Sequence, residues 1–262
     1  MNFYWVYDLP NIVFGLMTIA FFIIIAVSGL FLLRGFISTR IIPQSHNDIV
    51  SFFMSGMGAI YGITLGLIAV GAWENFNNVS DVVNREAASL MALYQDISVL
   101  PSPQKDSMQA QLTEYTKYTI EDAWPQQQQG IMPKGGTSRL KAFQKTMLSH
   151  EPKTKIEEIA IQEALSQYNT MLTYRRLRLQ SVTDGMPASI WYVIVFGAML
   201  NIVITWFFKT DSFRVHVLMT AMFAALLGSL VFLVAAMDNP FRGEFSVGSD
   251  AFQTIYENIT KK

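Results

Sequence analysis

The sequence predicts an all-α membrane protein: four transmembrane helices arranged as two hairpins, with a helical soluble insertion between the second and the third. Three observations carry that expectation. The apolar stretches Ile12–Leu33, Val50–Trp73, Ile190–Phe208 and Val215–Met237 are each close to the roughly 20 residues that an α-helix needs to cross a ~30 Å hydrocarbon core. The composition, 51% hydrophobic and 15% charged, leans the same way. No stretch alternates polar and apolar residues as a half-buried strand would.

The elements follow in order. Tyr4, Trp5 and Tyr7 form an aromatic anchor ahead of the first span. That span lacks a basic leader and is long enough to cross, so no cleavable signal peptide is expected. Arg34 and Arg40 follow it, and Pro43 breaks a short connection. From Val50 to Trp73 there are 24 residues without a charge, and Glu74 is the first. No proline intervenes before Pro101. The pattern resumes as Val79, Val83, Glu86, Leu90, Leu93 and Ile97, in the alternating steps of four and three that define one helix face. The second span is therefore expected to leave the bilayer as one long helix, half in lipid and half in water. Within it Gly58, Gly62 and Gly66 recur every four residues, with Gly56 and Gly71 nearby. Small residues at that spacing serve close helix packing or a glycine-lined pore wall.

Pro101-Ser102-Pro103 ends the long helix. Gln104–Trp124 reads as helix on Met108, Leu112, Tyr115 and Ile120. Pro125, the glutamine run, Pro133, Gly135 and Gly136 read as a loop. A short helix is expected over Ser138–Leu148. Thr154 and Glu157 form a capping box. The helix it opens carries Ile161, Leu165, Tyr168, Leu172, Arg175, Leu179 and Val182 on one face. Lys209, Asp211 and Arg214 make a tight turn between the last two spans, and a polar tail starts at Asp238. The expected segments are 1–73, the first hairpin; 74–187, an insertion of about 115 residues; 188–237, the second hairpin; and 238–262, the tail. Two spans separate each of these, so both termini and the insertion share one side.

Charge and motifs exclude several classes. A net charge of −1 offers nothing for nucleic acid. There is no cysteine. His46, His150 and His216 fall in three segments without a second ligand at metal-site spacing. No phosphate loop, dinucleotide fingerprint, zinc-protease motif or nucleophile elbow is present. Neither an enzyme nor a cofactor or metal is expected. No span holds Asp, Glu, Lys or Arg, which weakens proton-coupled transport. Asn201, the polar group of the third span, is interhelical glue or a ligand.

The two short turns carry Arg34, Arg40, Lys209 and Arg214, which makes them cytoplasmic and the insertion periplasmic by the positive-inside rule. Arg175, Arg176 and Arg178, near the third span on the insertion side, argue the other way.

Tyr61-Gly62-Ile63-Thr64-Leu65-Gly66, then Trp73-Glu74, then Arg85-Glu86-Ala87-Ala88-Ser89-Leu90 with Tyr94, resembles the bestrophin-like family of bacterial proteins. Arg175-Arg176 and Asp238-Asn239-Pro240-Phe241-Arg242-Gly243 complete the pattern. It is distantly similar to the bestrophin anion channels. The resemblance implies a homo-oligomer, a pentamer by analogy, in the bacterial inner membrane. It implies passage of small inorganic anions through a pore lined by the second transmembrane helix. The pore-lining candidates are Gly58, Tyr61, Gly62, Thr64 and Gly66, with Asn75 and Asn78 at a polar, weakly charged exit. Two departures stand out. Bestrophins line their neck with large apolar residues where this chain offers glycines. Their calcium clasp uses an acidic run, where only Glu244 and Asp250 follow Asn-Pro-Phe here. Bestrophins also hold the insertion in the cytosol. The alternative is a non-conducting membrane scaffold or sensor whose insertion binds a partner protein.

One structural pair is also expected. Glu86 and Arg175 are single charges on apolar stripes of two antiparallel helices. Each lies 13 residues from a membrane edge, Trp73 or Ala188, or about 20 Å at 1.5 Å per residue. The competing partners are Arg176 for Glu86 and Asp96 for Arg175.

Overall fold

A computed structural model describes residues 4–40 and 46–261. Pro43 lies outside the described residues, as do the side chains of Tyr4, Arg34 and Arg40. The described secondary structure is helical throughout, in two compact units.

Unit 1 comprises Met1–Glu74, Gly185–Asp238 and Gly243–Phe245. It contains α1 (Asn11–Arg40), the first part of α2 (Asn47–Asp96), α7 (Ala188–Thr205) and α8 (Phe213–Met237). All four are long and apolar enough to cross a membrane. α1 lies along α8 rather than along α2, its neighbour in sequence and its expected hairpin partner. The reason is a close approach: a Cβ on Gly228 would come within 2.9 Å of the Ile19 Cα. Phe14 stacks edge-on against Phe232 at 5.3 Å, and Phe31 against Phe213 at 5.0 Å. Phe22, Ala26, Tyr61, Leu65, Ile194, Ala198, Ile202 and Leu227 share the core. The Trp206 indole, packed over Gly29, donates to the Ala26 carbonyl at 2.8 Å. At the turn between α7 and α8, the Asn47 side chain bonds both the N–H and the C=O of Lys209, at 2.9 and 2.7 Å. At the opposite end Asp238 accepts from the Met186 N–H at 2.6 Å and the Trp191 indole at 3.2 Å. Burial pushes the Asp238 carboxyl above its ordinary pKa, and these two donors oppose the shift. Asn201 does not bridge helices. Its amide donates to the Gly197 carbonyl one turn back in α7 at 2.9 Å.

Unit 2 comprises Asn75–Asp184, Asn239–Arg242 and Ser246–Lys262. α2 is continuous for 50 residues, as the unbroken pattern predicts, and closes in a 3-10 turn at Ile97–Val99. α3 (Gln104–Tyr118), α4 (Trp124–Gln128), α5 (Gly135–Leu148), α6 (Lys155–Gln180) and α9 (Asp250–Thr260) complete the unit. The core joins Leu90, Leu93, Met108, Leu112, Phe143, Tyr168 and Phe252.

Three local expectations change. Gln126–Gln128 is helix, not loop: the π turn Thr119–Ala123 carries α3 into α4, whose first turn tolerates Pro125 because its missing N–H is not needed there. α5 begins at Gly135 because the Tyr118 hydroxyl accepts that residue's N–H at 2.9 Å, where a Cβ would lie 2.8 Å from the same oxygen. The tail folds as α9, burying Phe252, Ile255 and Ile259. The capping box forms: Thr154 Oγ1 accepts the Glu157 N–H at 3.2 Å, and Glu157 accepts the Lys153 N–H at 2.9 Å.

Candidate functional site

The candidate site is the outward face of α2 within unit 1. A helix turns about 100° per residue, so one side of α2 is fixed by the buried Tyr61, Leu65 and Ala72. The other side presents Phe52, Ile63, Leu67 and Val70, all exposed. At Gly56, Gly62, Gly66 and Gly71 a Cβ would meet no atom of the chain within 4 Å. The glycines therefore serve no packing inside one copy.

The sequence candidates divide on this geometry. Gly62 and Gly66 lie on the open side. Gly58 is turned towards α7, where its Cβ position is 3.8 Å from Asn201 Oδ1. Thr64 is half-buried and returns its hydroxyl to the Ile60 carbonyl at 2.8 Å. Tyr61 faces the bundle interior. Its ring fills the space left by Gly197, whose Cβ would lie 2.5 Å away, and its hydroxyl donates to the Ile194 carbonyl at 3.1 Å. A buried phenol needs such an acceptor, and the missing side chain at position 197 makes room to reach one. Asn75 and Asn78 are exposed.

A second constellation lies in unit 2. Glu86 is fully buried, and its partner is Arg178 rather than Arg175. Arg178 Nε donates to Glu86 Oε2 at 2.6 Å and Nη2 to Oε1 at 2.9 Å. The Tyr115 hydroxyl donates to Glu86 Oε1 at 3.3 Å, and Gln127 Oε1 accepts from Arg178 Nη1. The guanidinium also lies 5.3 Å from the Trp124 ring and 5.6 Å from that of Phe252, within range for cation–π attraction. Burial alone would favour neutral Arg178, but the Glu86 carboxylate and Tyr115 outweigh it and hold the pKa above its ordinary value. Burial, with Glu86 next, pushes the Tyr115 phenol up as well.

Arg175 is half-buried and donates to Thr137 Oγ1 at 3.2 Å. The expected pairing fails because the inward line of α6 is Ala164, Tyr168, Met171 and Arg178. Small Ala164 and flexible Met171 define its centre. The larger Ile161, Leu165 and Leu172, which draw the eye in sequence, flank it. Gln127, hidden in a low-complexity run, and Trp124 were missed. Among the described residues no three His, Asp or Glu side chains gather as a metal site.

Four helices of spanning length, in a chain whose described secondary structure is helical throughout, define an α-helical membrane protein. The model of the bestrophin-like domain matches residues 20–252, and the chain belongs to that family. Its fold is similar to crystal structures of two point variants of a bacterial bestrophin homologue from Klebsiella pneumoniae. The first has a TM-score of 0.67 at 12% identity, covering 95% of this chain and 99% of that one. The second has a TM-score of 0.68 at 12% identity, covering 96% and 98%. A third similar structure, described as a membrane protein, has a TM-score of 0.68 at 12% identity and covers 97% and 98%. No curated protein matches the sequence.

Proposed function

We propose that the chain is a homo-oligomeric ion channel of a bacterial plasma membrane, with α2 lining the pore. One observation carries the proposal. The outward face of α2 is apolar and studded with Gly56, Gly62 and Gly66, which nothing in the same copy approaches. Small residues in membrane helices let other backbones come close or leave a lumen open. Four spans cannot enclose a pore alone, so copies of the same chain must supply the remaining wall. All four helices cross the membrane, and both termini and the insertion between the second and third share one side of it. Family membership supports the channel reading, a pentamer, and small inorganic anions as the permeant class. Lys209 and Arg214 in the short turn favour a periplasmic unit 2, opposite to what the bestrophin resemblance implies.

Purified chain reconstituted in planar bilayers should give unitary currents. Silent protein that captures a defined partner through unit 2 would support the scaffold instead.

A further inference from the structure

We propose that the N-terminal half of α6 is an acid-sensitive latch within unit 2. His150 ties it to the end of α5 through Glu157, and Asp96 sets it against the end of α2 through Glu163. Both contacts tighten as the pH falls from about 8 to about 5.5, the range in which imidazoles titrate. The latch belongs to unit 2 and operates whether or not the chain conducts.

His150 follows the last turn of α5, where its backbone N–H donates to the Met147 carbonyl at 3.3 Å. Its side chain is 5% exposed, and Nε2 stands 3.5 Å from Glu157 Oε2 without a hydrogen bond. Glu157 already caps α6, accepting from the Lys153 N–H at 2.9 Å and the Thr154 hydroxyl at 3.1 Å. The Lys153 N–H lowers the pKa of this carboxyl most; burial opposes it, and Thr154 and His150 lower it further. Glu157 is therefore still charged in mild acid. A neutral imidazole donates from one nitrogen, whereas an imidazolium donates from both. Protonation of His150 thus guarantees a donor towards Glu157 and makes the contact an ion pair largely shielded from water. The other charges around it are exposed or already paired. Lys141, Lys145, Glu151 and Lys153 are exposed, and Lys155 holds Glu158 at 2.9 Å. On α3, which packs along α5, Glu114 holds Arg139 and Glu121 holds Lys117.

Asp96 ends α2 and leads into the 3-10 turn Ile97–Val99, on which α3 and α6 both pack. Its Oδ2 is buried and has no hydrogen-bond partner. The charge that acts on it is a like one, Glu163 on α6, whose carboxylate accepts from Gln167 one turn on at 3.0 Å. The first turn of α3 brings Lys105 and Asp106, and these pair with each other at 3.9 Å. Burial first, and Glu163 second, push the Asp96 carboxyl above its ordinary pKa. A carboxyl raised in this way costs stability while it is ionised, and the cost is relieved as the pH falls through its raised value. The lowered carboxyl of Glu157 has the opposite sign: its stabilisation is present above the ordinary carboxylate range and is lost only as the pH falls through its own lower value. Mild acid thus charges His150 while Glu157 is still ionised, and it removes the repulsion at Asp96. Stronger acid protonates Glu157 and opens the first contact again.

The full chain in lipid nanodiscs tests the latch. It has no cysteine, so Glu151→Cys gives one attachment point for a nitroxide in the connection between α5 and α6. The label should move several-fold more slowly at about pH 5.5 than at about pH 8, on either side of the imidazole range. His150→Gln should abolish that change and leave the spectrum at the higher pH as it was. Where His150→Gln fails to fold, Glu157→Gln takes its place with the same expectation. The melting temperature should rise over the same acidification. Asp96→Asn should raise it at the higher pH and shrink its rise in acid, and Asp96→Asn combined with His150→Gln should remove the response. A label equally mobile at both pH values, or one that still responds in the His150 and Glu157 variants, overturns the first contact. An Asp96→Asn chain that melts lower than wild type at the higher pH overturns the second. A wild-type melting temperature that falls over the acidification overturns the latch as a whole.

Discussion

The two halves of α2 solve opposite problems. In unit 2 its inward face carries a charge, Glu86, and every polar atom around that charge has a partner: Arg178, Tyr115 and Gln127. In unit 1 the inward face is apolar, while the outward one carries glycines that touch nothing. A buried ion pair is worth keeping only when its geometry is complete, and here it is complete within one copy. The glycine face is incomplete within one copy. The comparison teaches that the buried charge of unit 2 is satisfied within one copy, whereas the glycine face of unit 1 is left open within one copy, as the proposed oligomer requires.

The largest expected effect comes from breaking the complete side. Arg178→Met leaves Glu86 buried without a counter-charge and should destabilise unit 2 by about 3–5 kcal/mol. Thermal unfolding followed by circular dichroism would measure it, and Glu86→Leu combined with Arg178→Met should recover part of the loss. Arg175→Met tests the register. Its partner is a threonine on the edge of the unit, so its removal should cost only about 1 kcal/mol. Equal losses for the two arginines would show that the network has been misassigned.

Next come the packed glycines of unit 1. Gly197→Ala would set a methyl group 2.5 Å from the Tyr61 ring, and Gly228→Ala one 2.9 Å from the Ile19 backbone. Overpacking of this kind costs about 1–3 kcal/mol, readable as a lower melting temperature in detergent. Gly66→Ala is the contrasting case. Nothing lies near its Cβ, so a single copy should keep its stability and gain up to about 1 kcal/mol of helix propensity, while the unitary conductance falls. The smallest effect belongs to the polar exit. Asn78→Asp should shift the reversal potential towards the cation's, and an unchanged value would remove Asn78 from the ion path.

Much of this was legible in the sequence. Uncharged length showed the spanning helices, and the proline-free run to Pro101 showed α2 as one element. What was not legible depended on which face of a helix turns inward. Tyr61 read as a lumen residue because its role is set by Gly197, more than a hundred residues away. Arg178 read only as one of three positive charges near the third span, because small Ala164 and flexible Met171 mark the buried line less loudly than Ile161 and Leu165 mark its edge. Gln127 lay in a run whose composition signals a loop, and only the π turn at Thr119–Ala123 aims it at Arg178. α9 was lost among polar neighbours, since three apolar residues, Phe252, Ile255 and Ile259, carry its packing.

The central claim is that α2 faces the axis of a homo-oligomer. Electron cryo-microscopy of the full chain in lipid nanodiscs tests it most directly. The account predicts a ring of identical subunits with Gly62 and Gly66 nearest the symmetry axis, around a continuous lumen. Single-copy particles, or a ring with α1 or α8 inside and the glycine face of α2 against lipid, would contradict it.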